Sequence, residues 1–311
     1  MGRKNSKEVF IDTFQQFILE KRAAGVTDKT LTTYVNHFYT FCKYVDEDIP
    51  LPDLTTERMQ DMIAQIAATG ISPNSVRSYT ATMSSFFGWC RKKGLSDTKI
   101  TLFAGRESTP VNYTDEELKR LLEAPTLKSC TIGEHRAWVI VNILVNNGIR
   151  ASTVRAIQIR DVDLDQPAII LRHTKRRKSQ TIPLSRQLIG ILQVWMKVRG
   201  GEPEDYLFPD FTNNGQMSEN CLRNAIIRYN HSRGVDKTSI HAFRHTFARI
   251  YLVEMGGSAL KLQKLLGHST LDMTKRYVAL YDKDLISDFQ KDSPLDHVTH
   301  PDPPKKRLRI Q

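Results

Sequence analysis

Cysteine is scarce in this sequence, and its spacing pairs nothing. The four residues, Cys42, Cys90, Cys130 and Cys221, are scattered and form no C-x-x-C pair. A disulfide framework and a structural zinc site are therefore not expected, and the thiols read as apolar residues of a chain in a reducing compartment. Long apolar runs are missing too. No stretch reaches the roughly 18 consecutive apolar residues of a membrane span, so no membrane association is expected. The opening MGRKNSKEVF lacks the apolar core of a secretory signal, and its loose match to a myristoylation pattern is too short to carry weight. No G-x-x-x-x-G-K-[ST] phosphate loop and no internal repeat occur. Acidic residues are the minority: 34 Asp and Glu stand against 45 Lys and Arg, a net charge of +11. A chain this basic points to a polyanionic partner, nucleic acid first.

The 311 residues suffice for two domains with sizeable cores. Residues 1–100 read as a bundle of four helices. Phe10, Phe14, Phe17 and Ile18 share the first helical face, which ends near Gly25. Thr27 or Asp28 caps a second helix carrying Leu31, Tyr34, Val35, Phe38, Phe41 and Cys42. Thr55 precedes a third with Met59, Met62, Ile63 and Ile66. Ser72-Pro73 opens a fourth, with Val76, Tyr79, Met83, Phe86, Phe87 and Cys90, stopped at Gly94. These stripes are core, and no cofactor is expected.

The helical period is then lost, and residues 101–113 read as an interdomain linker. Thr114 and Glu117 form a capping box for the next helix, and an apolar helix through Trp138, Ile140, Val141, Leu144 and Val145 ends at Gly148. Ile169–Leu171 and Thr181–Leu184 read as two short strands of a hairpin tipped by Lys175, Arg176, Arg177 and Lys178, with Pro183 marking an edge. Helices resume to residue 290. Residues 291–311, rich in proline and ending in KKRLR, read as an extended basic tail.

Four local signals carry chemistry, each weak by itself. Arg150 follows Gly148-Ile149 at a helix end. Lys175 rides on the hairpin. His241 and Arg244, three apart, share a helical face. Leu266-Gly267-His268 lies nine residues before Tyr277 at its histidine. Taken singly, each residue is as well read as surface charge or core. His241 and His245 also have the spacing of a metal pair, but Ala242 stands where the H-E-x-x-H helix has its glutamate, which ranks the metal reading below phosphate binding. Together the set fits phosphodiester cleavage. Two arginines and histidines can hold the non-bridging oxygens, where negative charge builds in the transition state. A lysine can protonate the leaving oxygen. A tyrosine can form a covalent phosphoester that roughly preserves the energy of the broken bond, so rejoining needs no nucleotide cofactor.

These elements resemble the tyrosine recombinase (phage integrase) family in order and spacing. The strings N-G-I-R, T-K-R-R-K-S-Q-T-I-P-L, H-A-F-R-H-T-F and L-L-G-H-S-T-L-D-M-T-K-R-Y are similar to the family's own. The resemblance covers about residues 110–290, and the first bundle is similar in size to the family's core-binding domain. It implies a mainly α fold with a small β-sheet: an N-terminal SAM-like core-binding bundle and an α+β catalytic domain over 114–290. It implies that Arg150 and Arg244 hold the scissile phosphate and that Lys175 protonates the 5′-oxygen. Lys178 competes with Lys175 for that role, and Lys175 is preferred for its distance from the following strand. By the same resemblance His241 helps move the tyrosine proton, His268 donates to the phosphate, and Tyr277 attacks and holds the 3′-phosphate. Thr153 departs from the pattern, because the family usually has an acid three residues after the first arginine.

The resemblance further implies a C-shaped clamp on duplex DNA, a homotetramer on two DNA sites, a Holliday-junction intermediate and a possible directionality factor. Its setting would be the cytoplasm of a bacterium, at the nucleoid. Candidate DNA contacts are Lys29, Asn74, Arg77, Arg91 and Lys92 in the bundle and Arg172, Arg176, Arg177 and Lys178 on the catalytic side. Most of them should meet phosphates, while Asn74 and Arg77 can reach base edges. The little sequence before the first helix leaves scant room for a separate arm-site domain. Integration or excision of a mobile element or prophage is the expected role. A dimer-resolving Xer-like recombinase, a type IB topoisomerase and a catalytically silent DNA-binding protein of the same fold are the alternatives.

Overall fold

The computed structural model describes residues 8–105, 110–126, 128–171 and 180–267, with Thr270, Thr274 and Tyr277 beyond them. The chain divides into two units, Met1–Thr109 and Pro110–Gln311.

The first unit is built on α1 (Phe10–Ala23), α2 (Asp28–Phe41), α3 (Thr56–Ala68) and α4 (Pro73–Lys93). Local chemistry sets the ends. The hydroxyls of Thr55 and Ser72 accept the Arg58 and Ser75 amides, satisfying orphan N–H groups of α3 and α4. Gly94 stops α4 with φ 71°, a left-handed conformation that costs glycine little. Thr27 sits at the N-cap of α2, but its hydroxyl pairs with that of Thr30 instead of a backbone amide.

The apolar stripes converge on a core of stacked rings. Phe86 of α4 meets Phe10, Phe14 and Phe17 of α1 at centroid distances of 5.7, 5.4 and 5.6 Å. Phe14 stacks on Phe38 of α2 at 4.3 Å. Residues 98–103 then run back over the bundle and are tied to it. Thr98 Oγ1 donates to the Leu54 carbonyl, and Arg91 and Arg77 donate to the carbonyls of Thr98 and Phe103.

The second unit carries α5 (Asp115–Leu122), α6 (Ile132–Asn147), α7 (Ala151–Ala156), β1 (Val162–Asp163), β2 (Ala168–Leu171), β3 (Gln180–Pro183), α8 (Arg186–Arg199), α9 (Glu219–Ser232), α10 (Ile240–Arg249) and α11 (Ala259–Leu266). The Thr114–Glu117 capping box opens α5. The strands form an antiparallel sheet in the order β1-β2-β3, with Ile169 opposite Ile182. Pro183 lies on the edge strand β3, where a missing N–H breaks no ladder. The two-residue β1 was not foreseen, because so short a pairing leaves no alternation to read. A mainly helical chain with one small sheet is thus the fold.

Helix α6 is buried from His135 to Leu144 around most of its circumference, which makes it the central rod of this unit. Tyr113, from the stretch read as a linker, packs here: its ring stacks on Phe243 at 4.2 Å and its amide donates to Thr246 Oγ1. Among the described residues, no helix is long and apolar enough to cross a membrane.

His135 is 2% exposed and lies between Trp138 and Trp195 at 5.8 and 5.3 Å. Burial lowers its pKa, because the charged ring would be desolvated. Unfolded, the ring takes up a proton as pH falls through about 6.5, while the folded protein resists it. The stability this group contributes is therefore present above that value and lost as pH falls toward the folded pKa. Urea midpoints should drop between neutral and mildly acidic pH. His135→Phe should remove part of that drop, with His37 and His245, also lowered, accounting for more.

Candidate active site

The site forms where α6, α10 and α11 end against one another. Gly148 terminates α6 with φ 58°. A Cβ there would lie 2.5 Å from Phe247 Cδ1 of α10 and 3.0 Å from Leu266 of α11. Glycine is thus required both for the backbone turn and for the closeness of the neighbours. Two residues on, Arg150 occupies the N-cap of α7. Its guanidinium Nη1 and Nη2 donate to the Gly267 carbonyl at 3.3 and 3.4 Å.

Arg244 rises from α10 into the same space and is 5% exposed. Nη1 donates to the Gly148 carbonyl at 2.9 Å and Nη2 to the Leu266 carbonyl at 3.0 Å. Both acceptors are helix-end carbonyls without intrahelical partners, where a cation also meets the negative pole of the helix dipole. Burial, with the charge of Arg150 alongside, pushes the Arg244 pKa down to about 10. The group remains cationic at neutral pH. Two cations held this close favour an anion between them.

Tyr277 is 6% exposed, and its ring packs with Ala248, Leu262 and Leu266. Its hydroxyl lies 2.9 Å from His245 Nδ1, and Arg244 is close enough for its charge to act on it. The structure therefore brings Arg150, Arg244 and Tyr277 together. His241 is exposed at the start of α10, one turn before His245, close enough for its charge to act on that ring. Lys175 and His268 lie outside the described residues, as do Arg172, Arg176, Arg177 and Lys178. Their flanks are described. Gln180, at the start of β3, donates to the Leu265 and Lys264 carbonyls at 2.9 and 3.3 Å, so the return strand of the hairpin is fixed to the end of α11. Gly267 closes α11 with φ 61° immediately before His268.

His245 and Gln180 escaped the sequence reading as site residues. In the sequence His245 stands out by its metal-pair spacing from His241. Its position beside Arg244 is a signal, but which ring meets the tyrosine depends on a contact 32 residues away in sequence. Of the bundle's basic candidates, Lys29 and Lys92 are exposed, and Asn74, Arg77 and Arg91 are exposed along α4. Arg77 and Arg91 already hold the 98–103 strap, and Asn74 Oδ1 would lie 2.7 Å from a Cβ built on Gly105. Arg77 and Arg91 are thus fixed by their bonds to the strap. Thr153 is on α7, where its amide donates to the Arg150 carbonyl.

The phage integrase family model matches residues 112–284, and its N-terminal SAM-like domain matches residues 11–95. The chain is a tyrosine recombinase of the phage integrase family. It is similar to the tyrosine recombinase XerA of Thermococcus kodakarensis, 30% identical over 72% of this chain and 77% of that protein. It is also similar to a tyrosine recombinase of Pseudothermotoga lettingae, 23% identical over 91% of this chain and 98% of that protein. Solved structures share the fold. A lambda integrase tetramer bound to a Holliday junction has a TM-score of 0.71 at 19% identity, covering 88% of this chain and 78% of that one. The Tn1549 transposon integrase with transposon right end DNA has a TM-score of 0.71 at 16% identity, covering 91% and 99%. The recombinase is accordingly a DNA-binding enzyme of DNA recombination.

In this recombinase Gly148→Ala should cost about 2–4 kcal/mol, from a left-handed alanine plus overpacking against Phe247. Urea unfolding of the variant measures it. An unchanged midpoint would mean that the α6 end relaxes freely and does not fix Arg150.

Proposed function

We propose that the recombinase cuts and rejoins duplex DNA at a specific site through a 3′-phosphotyrosine bond at Tyr277, for integration or excision of a mobile element or prophage. The observation that carries this reading is the Tyr277 hydroxyl held beside Arg244, with Arg150 anchored on the neighbouring Gly267 carbonyl. The two guanidinium groups bind the scissile phosphate and stabilise the charge that grows on its non-bridging oxygens. Tyr277 attacks phosphorus in line with the 5′-oxygen. Lys175 protonates that oxygen, and His268 donates to the phosphate. The covalent link stores the bond energy for religation to a new 5′-end.

On this reading the enzyme acts as a homotetramer on two DNA sites and passes through a Holliday junction. A directionality factor can bias the outcome. Its place is the cytoplasm, at the nucleoid. On this reading the phosphates are met by Lys29, Arg91 and Lys92 of the first unit and by Arg172, Arg176, Arg177 and Lys178 of the second, while Asn74 and Arg77 reach base edges. A second reading is Xer-like resolution of chromosome or plasmid dimers. The curated relatives named XerA, XerC and XerD favour it.

The test begins by enriching bound duplexes from random sequence with the full chain. Each is then nicked just 3′ of the cleaved phosphate and incubated with protein in EDTA. The parent chain should give a covalent adduct on a denaturing gel, and Tyr277→Phe none. Adduct that persists in Tyr277→Phe moves the nucleophile elsewhere. No adduct on any enriched duplex counts against cleavage altogether.

Affinity for the enriched duplex should fall about 10³-fold or more between 50 and 200 mM salt if six or more phosphates are neutralised. A flat salt dependence would remove the phosphate-contact picture.

A further inference from the structure

Among the described residues, Arg244 and His245 lie near Tyr277 Oη and have opposite uses. Arg244 can only donate to it. His245 Nδ1, at 2.9 Å, can accept from it. The ring of His245 is half-buried on α10, tilted against the Tyr277 ring at a centroid distance of 5.6 Å. We propose that His245 is the proton acceptor for Tyr277 in strand cleavage, an inference that rests on the cleavage reading above.

The surroundings fit the role. Among the described residues, Arg244 and His241 from α10 and Tyr277 are the charged or titratable groups that act on His245. Burial first, then the charges of His241 and Arg244, lower its pKa. The ring is therefore neutral at physiological pH, and a neutral ring protonated at Nε2 presents a lone pair at Nδ1. The fixed charge of Arg244 stabilises the phenolate as it forms. His241, exposed at the start of the helix, acts on the His245 ring through its charge.

The step balances without any further reagent. The Oη–H bond breaks and its proton moves to His245 Nδ1, making an imidazolium. The electron pair left on Oη forms the Oη–P bond. The P–O5′ bond breaks with its pair on the 5′-oxygen, which takes a proton from the group that protonates it, Lys175 in the present assignment. On religation the imidazolium returns its proton to Oη.

Three chains serve the test: the parent, His245→Ala and His245→Asn. Asparagine keeps a hydrogen-bonding atom near the Nδ1 position but cannot take the proton. Adduct formation is timed in a single turnover on the nicked enriched duplex across pH, alongside binding of the same duplex. Both variants should bind as the parent does, cleave about 10²-fold or more slowly, and lose the acid limb of the pH profile. Added imidazole should speed His245→Ala and leave the parent unchanged. In the free full chain, ¹⁵N NMR should show His245 neutral with its proton on Nε2 at neutral pH, and a shift of its Nδ1 signal in Tyr277→Phe.

An undiminished rate in both variants overturns the inference and leaves cleavage intact. So does a His245→Asn chain that cleaves as fast as the parent, since positioning alone would then suffice. A proton on Nδ1 at neutral pH overturns it without DNA. Absence of adduct from the parent itself would instead strike the cleavage reading.

Discussion

The Arg244 guanidinium is the constraint on which the rest of the catalytic unit depends. One planar group joins the carbonyl that ends α6 to the carbonyl that ends α11, and its charge acts on the hydroxyl of Tyr277. Each partner is remote in sequence, and each has a polar group that must be satisfied away from water. Burying a cation is costly unless its donors are all used, and here helix-end carbonyls supply the acceptors. The same charge that closes the structure is the one a phosphate would meet. Stability and chemistry therefore draw on one side chain, and a lysine in its place could not make the divergent contacts.

Around it, small residues set distances. Gly148 lets α6 turn against Phe247 and Leu266, and Gly267 ends α11 so that its carbonyl faces Arg150. Gln180 adds a third tie, from the hairpin to the last carbonyls of α11. The hairpin's return strand, the segment before His268 and both arginines are thus anchored to one short turn. A displacement at that turn would be felt by all of them, because packed interiors pass on strain instead of absorbing it.

The first unit follows a different logic. Its core is a cluster of aromatic rings on α1, α2 and α4, and its surface arginines partly serve the fold by holding residues 98–103 in place. A basic residue on a helix flank thus reads as a free charge in sequence when its donors are partly committed. Arg77 and Arg91 still project their remaining N–H groups, now from fixed positions.

What the sequence by itself determined was whatever local chemistry dictates. The helices of the bundle, the caps at Thr55, Ser72 and Thr114, the stops at Gly94 and Gly148, and the hairpin with Pro183 on its edge all follow from patterns a few residues long. The order of Arg150, Lys175, His241, Arg244, His268 and Tyr277 was likewise legible, since it is a property of the chain. Tertiary structure alone decided which groups meet. His241 and His245 are equivalent candidates four residues apart until Tyr277 comes back against α10 with its hydroxyl 2.9 Å from His245 Nδ1. Tyr113 was read within a linker because its neighbours lack periodicity, yet its ring is fixed by Phe243 and Asn230 from far along the chain. Contacts between such distant segments depend on how the helices pack, and packing is a collective property that no single stretch of sequence encodes.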